Sequence, residues 1–136
     1  MKKWFIIIVC CFLGASLAYS VTGRIFGREY MPLTKVEKKW GKEDFNAQRF
    51  RDASTEGRAQ MAYSLIHTKK YVKGPVDTVF QELGPSSGHF YSETVPAYVI
   101  GNINEKEDEM WQLIFLLDKN AQIVTEVQVH KKCCYK

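Results

Sequence analysis

The residues best equipped for chemistry fall in the last stretch of the sequence, His130-Lys131-Lys132-Cys133-Cys134-Tyr135-Lys136. Thiolates and imidazoles are the ligands of zinc and softer metals, and two thiols can close a disulfide. His130, Cys133 and Cys134 therefore supply three donors within five residues. Structural zinc spacing normally draws on a second, distant pair of ligands. Only His67 and His89 could complete such a set, and nothing in their spacing brings them to the tail. A dithiol redox site wants C-x-x-C, which the chain lacks. In an exported chain the two neighbours pair with each other in a strained, reducible ring or bridge to another molecule. A disulfide or thiol site at Cys133 and Cys134 is the leading reading. A metal site with His130 as accessory and two silent thiols stay open beside it.

Other chemistry-bearing residues are weaker. Ser64 and His67 can share a helix face, but a nucleophile also needs a third group to orient its base. Glu105, Glu107, Asp108 and Glu109 crowd one segment without the alternating oxygen ligands and central glycine of a calcium loop. There is no G-x-S-x-G, H-E-x-x-H, P-loop or dinucleotide fingerprint. No catalytic residue, metal or cofactor is assigned, and a non-enzymatic role is expected.

Stepping outward from these residues, the sequence carries an address. Met1-Lys2-Lys3 precedes the apolar run Trp4–Phe12, and Ser16-Leu17-Ala18 follows with the small-residue pattern of a signal cleavage site. Apolar character persists to Val21, about eighteen residues in all, so an uncleaved anchor obeying the positive-inside rule is equally consistent. Cys10 and Cys11 follow Val9 and Cys10, where a lipobox requires a small residue, and read as apolar members of the run. Residues 1–21 are thus a signal peptide or N-terminal membrane anchor. The expected location is the periplasm, or the inner membrane facing it.

The remainder has the means to build a core. Of 136 residues, 46% are hydrophobic and 13% aromatic, enough for one domain. Outside Lys2 and Lys3 the balance is 17 basic against 15 acidic residues, too mild for nucleic acid. Lys35, Lys38, Lys39 and Lys42 cluster, as do Lys69, Lys70 and Lys73. Such clusters are mostly solvated faces, with anionic lipid headgroups as the minority reading.

Residues 22–43, with three glycines, Pro32 and scattered charges, read as a linker or loosely docked arm. Asp44 suits the cap of a short helix carrying Phe45 and Phe50. The 52–55 cluster offers caps for a stronger helix whose stripe is Met61, Ala62, Leu65 and Ile66. Gly74-Pro75 and Gly84-Pro85 bracket a short helix with Val76, Val79, Phe80 and Leu83 on one face, which should lie against the main strand. Ser86-Ser87-Gly88 is a turn, His89-Phe90-Tyr91 a short edge piece, and Ala97–Ile100 an edge strand. Residues 110–117 hold seven apolar side chains in eight, which marks a buried central strand. Asp118-Lys119-Asn120 then turns into an alternating strand with Ile123, Thr125, Val127 and Val129 on one face. The expected architecture is α+β over 44–136: two helices on a three- to four-stranded antiparallel sheet, preceded by an N-terminal hydrophobic helix.

The order of Arg58 and Met61–Ile66, Gly74, Val79-x-x-x-Leu83-Gly84-Pro85, Tyr98, Trp111–Phe115 and a last strand to Val129 resembles the SmpA/OmlA (BamE-like) family of small bacterial envelope proteins. That resemblance covers about the last eighty residues. It implies two helices on a three-stranded antiparallel sheet and a role as accessory to envelope assembly or maintenance. The chain departs from the family in lacking a lipobox, in placing Pro85 directly after Gly84, and in ending on Cys133-Cys134. Fold transfers along such a likeness more safely than function does. The expected function is an exported, cell-envelope protein-interaction module with an envelope protein as partner. The alternative is a periplasmic thiol or metal-binding protein acting through Cys133 and Cys134.

Overall fold

Seven consecutive residues, apolar except for Gln112, Trp111–Leu117, form β3, the strand on which the sheet is built. The computed structural model describes residues 30–132 except 103, 107 and 108. The expected signal or anchor segment, and Cys133 and Cys134, lie outside the described residues. Within them the sheet has four strands: β1 (Tyr30–Met31), β2 (Ala97–Ile100), β3 and β4 (Val124–Lys131), in the order β1-β4-β3-β2. β3 runs antiparallel to both β2 and β4, so the expectation of an interior strand holds.

Leu113 and Phe115 on β3, Tyr98 and Ile100 on β2, and Val124, Val127 and Val129 on β4 point to one face and enter the main core. Four helices accompany this sheet among the described residues: α1 (Leu33–Trp40), α2 (Ala47–Asp52), α3 (Thr55–Thr68) and α4 (Val76–Leu83). The coarse α+β architecture is therefore as expected, with four helices in place of two. α3 is the long helix. Ser54 caps it by accepting from the Gly57 N–H, and Ala59, Met61, Ala62 and Leu65 are buried against β2 and β4.

Four aromatics knit the layers in three edge-to-face pairs: Phe50 meets Tyr98 at 5.7 Å, and Tyr98 and Tyr71 meet Phe115 at 5.9 and 5.8 Å. Tyr98 donates to the carbonyl of Gly84 at 2.7 Å, which satisfies its buried hydroxyl, and burial pushes its pKa up to about 12. Two arginines close helix ends that would otherwise leave carbonyls bare. Arg58 donates to Phe50 O and Arg51 O at the end of α2, and Arg51 donates to Glu82 O and Gln81 O at the end of α4.

Several local expectations are corrected. The stretch expected to be a linker contains α1, because Leu33, Val36 and Trp40 recur at helical spacing and Val36 is fully buried against α3. The short helix is capped by Asn46, whose side chain accepts from Arg49 N, and not by Asp44. Phe45 precedes that helix. α4 packs chiefly on α2, not across β3, because its first turn is tied down elsewhere: Lys73 and Val76 N–H groups donate to Val124 O and Gln122 O. Gly84 does take the positive φ, +82°, that ends α4.

The phase of β4 also differs. Leu116 pairs with Glu126 but Leu117 with Val124, so Thr125 is an extra residue in the ladder. The bulge turns Val124 inward and leaves Ile123 and Thr125 exposed, while Val127 and Val129 keep their expected face. Thr125 donates its hydroxyl to Leu116 O across the irregularity.

Candidate functional site

The opposite face of the sheet carries Ala97, Val99, Gln112, Ile114, Leu116, Glu126, Gln128 and His130, as the strand register dictates. The helices cover the other face, and this one is partly closed by the segment after α4. Ser86 and Ser87 hydroxyls accept from Ala97 and Val99 N–H groups, and the Ser87 and Gly88 N–H groups donate to Ala97 O. The outer edge of β2 is thereby occupied by a polar strap and blocked to further strand pairing.

From that edge the strap crosses inward. Gly88 passes so close that a Cβ there would stand 2.6 Å from the side-chain oxygen of Gln112 and 3.5 Å from Val99. One residue on, the His89 N–H donates to Gln112 Oε1 at 3.2 Å and Gln112 Nε2 donates to His89 O at 2.9 Å. Gln112 is fully buried and is the one polar member of the 110–117 run. Its amide reproduces the two-bond exchange of a strand neighbour, so the polar group is satisfied and the strap is clamped.

The clamp delivers Phe90 and Tyr91 over the end of β4. Phe90 stands edge to face with His130 at 4.9 Å and with Tyr91 at 4.7 Å. Tyr91 has φ +57° and lies in a three-residue turn closed by Ser92 N–H to Phe90 O at 2.7 Å. A left-handed backbone is unfavourable for a bulky side chain. The residue is nevertheless 67% exposed, the most solvent-open large hydrophobic among the described residues. Tyr91 thus combines a costly backbone conformation with solvent exposure.

The expected site residues sort as follows. His130 is half-buried on β4 beside Phe90, with Nδ1 3.0 Å from Lys131 O. Cys133 and Cys134 lie outside the described residues. His89, which nothing in the sequence linked to the tail, is brought to the strand next to His130, because Gln112 holds its backbone and pairs with His130. His67 is remote from them in its contacts, stacked on Tyr63 at 5.4 Å. Ser64 accepts from Phe45 N–H at 3.1 Å on the wall of an open groove of about 630 Å³, so each member of the weak Ser64 and His67 pair is engaged elsewhere. No group of three His, Cys, Asp or Glu side chains suited to a metal occurs among the described residues.

A second polar cluster is structural. The Tyr71 hydroxyl donates to Glu82, and Lys70 lies 3.2 Å from the same carboxylate. The Tyr71 bond, then Lys70, hold Glu82 below the usual carboxylate range, while burial and Glu82 push Tyr71 far up. Sequence reasoning overlooked Tyr91 and Gln112. The signals were an aromatic pair between Gly88 and Pro96 amid Ser and Thr, and a lone amide inside an apolar strand. No family model, curated protein or solved structure matches this chain.

Proposed function

We propose that this chain is an exported cell-envelope protein-interaction module, carried by an N-terminal hydrophobic segment, whose α+β domain recognises a protein partner through the Phe90–Tyr91 turn. The observation carrying this reading is Tyr91, exposed at φ +57° above a strap held by the buried Gln112 amide. Tyrosine is well suited to the centre of an interface, offering large area, few rotatable bonds and a polar tip. Phe90 and His130 give it a firm backing. The sequence resemblance to the SmpA/OmlA family is in keeping with this reading, on which the module is an accessory of envelope assembly or maintenance.

Incorporation of a photo-crosslinking phenylalanine derivative at position 91 in cells, followed by fractionation, tests the proposal. The expected outcome is a discrete crosslinked product in the envelope fraction, absent when the probe is moved to exposed Gln60 on α3. Equal products from both positions, or a chain found outside the envelope fraction, defeats it.

A further inference from the structure

Helix α1 is pinned by one side and charged on the other. Val36 is fully buried and Trp40 partly so, and both belong to the core side. The outward arc carries Thr34, Lys35, Lys38 and Lys39, all exposed, with no carboxylate among them. Glu37 stands at the flank, 3.3 Å from Lys42, and Lys39 reaches Glu105 at 3.6 Å. Among the described residues Lys35 and Lys38 enter no ion pair. In a chain that is otherwise close to charge balance, this helix concentrates uncompensated positive charge, and the buried Val36 prevents it from rolling the lysines inward.

A short stretch of sequence links this face to the apolar segment. Leu33 follows Val21 by twelve residues, a tether of at most about 40 Å when fully extended. That tether carries Arg24 and Arg28 against Glu29 alone. Cations held so close to a bilayer surface act within a few screening lengths of its headgroups.

We infer that the Lys35, Lys38 and Lys39 face of α1 rests on anionic phospholipid headgroups, which orients the domain on the membrane. This rests on the membrane-associated form of the proposed function. Attraction of a basic residue to an anionic surface favours the bound state on the order of fivefold per lysine, so about a hundredfold for three. The recognition turn at Tyr91 does not use these lysines, so binding of lipid and binding of a partner are separable.

The test is lysine acetylation footprinting of the full chain on vesicles, read by mass spectrometry. Vesicles of phosphatidylcholine alone are compared with vesicles of roughly two parts phosphatidylcholine to one part phosphatidylserine. Acetylation of Lys35 and Lys38 is expected to fall on the order of fivefold on the anionic vesicles and to recover in high salt. Exposed Lys119, in the β3–β4 turn, is the reference and should not change. Equal protection of Lys35 and Lys38 on both vesicle types overturns the inference. Flotation separates this from failure of the anchor. A chain that does not float with neutral vesicles is not anchored, and its flotation with anionic vesicles then reads the lysine face alone. In that case a Lys35→Gln, Lys38→Gln, Lys39→Gln variant should partition about a hundredfold less. Undiminished flotation of the variant, or no flotation with either vesicle, overturns the inference.

Discussion

A single amide organises the strap side of the sheet, and its environment sets what substitution there does. Gln112 and the His89 backbone satisfy one another in a site with no water access for either side-chain atom of a fully buried residue. A methyl group on Gly88 would stand 2.6 Å from Gln112 Oε1, and the buried side chain can yield only by giving up its bond. Gly88→Ala is expected to destabilise the domain by about 1–3 kcal/mol, measured by urea unfolding. Tyr91 predicts the opposite sign. Replacement by glycine removes the left-handed penalty at φ +57°, so Tyr91→Gly should be up to about 1 kcal/mol more stable while losing the proposed partner. Stability and crosslinking measured on the same variant decide the matter: a destabilised Tyr91→Gly with unchanged partner capture would show that Tyr91 serves packing.

Also at this scale, Tyr71 and Glu82 give a pH dependence whose sign follows from linkage. Glu82 titrates lower in the folded protein than its ordinary 4.5, chiefly through the Tyr71 hydroxyl. The stabilisation is therefore present above that ordinary value and is lost as pH falls through the lower folded one. Tyr71→Phe keeps the ring contacts and removes the donor. It should cost about 1 kcal/mol near neutral pH, discounted for the solvent reaching Glu82, and roughly half that once the carboxyl is protonated in both states and accepts only a neutral hydrogen bond. Equal loss at neutral and acid pH in denaturant titrations would refute this account.

At the scale of elements, α1 shows how a helix hides in a stretch rich in charge and glycine. Its apolar residues are only Leu33, Val36 and Trp40, spread over two turns among four lysines and Glu37 when Lys42 beyond the cap is included. Three apolar residues at i, i+3 and i+7 suffice when α3 supplies the opposing surface. Val36→Ala should then destabilise by about 2 kcal/mol, whereas Lys38→Ala on the same helix should change stability by less than about 0.5 kcal/mol. Equal small effects in thermal unfolding would mean that 33–40 contributes nothing to the core. The β3–β4 turn makes a similar point. Asp118 accepts from the Gln122 and Ile123 N–H groups, which lowers its pKa, and Ala121 takes a left-handed φ of +54° within the turn. Asp118→Ala is expected to lower the unfolding midpoint and to increase amide exchange at Gln122 and Ile123.

For the molecule as a whole, the two faces of the sheet differ in what covers them. One is sealed by helices and a network of tilted and edge-to-face rings running through Phe45, Phe50, Tyr98, Phe115 and Tyr71. The other is closed only part-way by a strap that ends in an exposed aromatic turn. No helix among the described residues is long and apolar enough to cross a membrane.

What the amino-acid sequence determined by itself was whatever depends on local composition and period: the α+β class, the interior strand from its unbroken apolar run, α4 from its bracketing Gly and Pro, and α3 from its stripe. Such features arise because steric and hydrophobic preferences act over a few neighbouring residues. Only the tertiary structure decided that Asn46 rather than Asp44 caps α2, that Thr125 bulges out and reverses the inward face at Val124, and that Val36 has α3 to bury against. It alone brought Gly88, His89 and Phe90 across the sheet to Gln112 and His130. The cap and the bulge were settled by hydrogen bonds three and nine residues apart that composition does not rank, and the crossing to Gln112 and His130 hangs on contacts more than twenty positions apart, where a hydrogen bond or an opposing surface outweighs local preference.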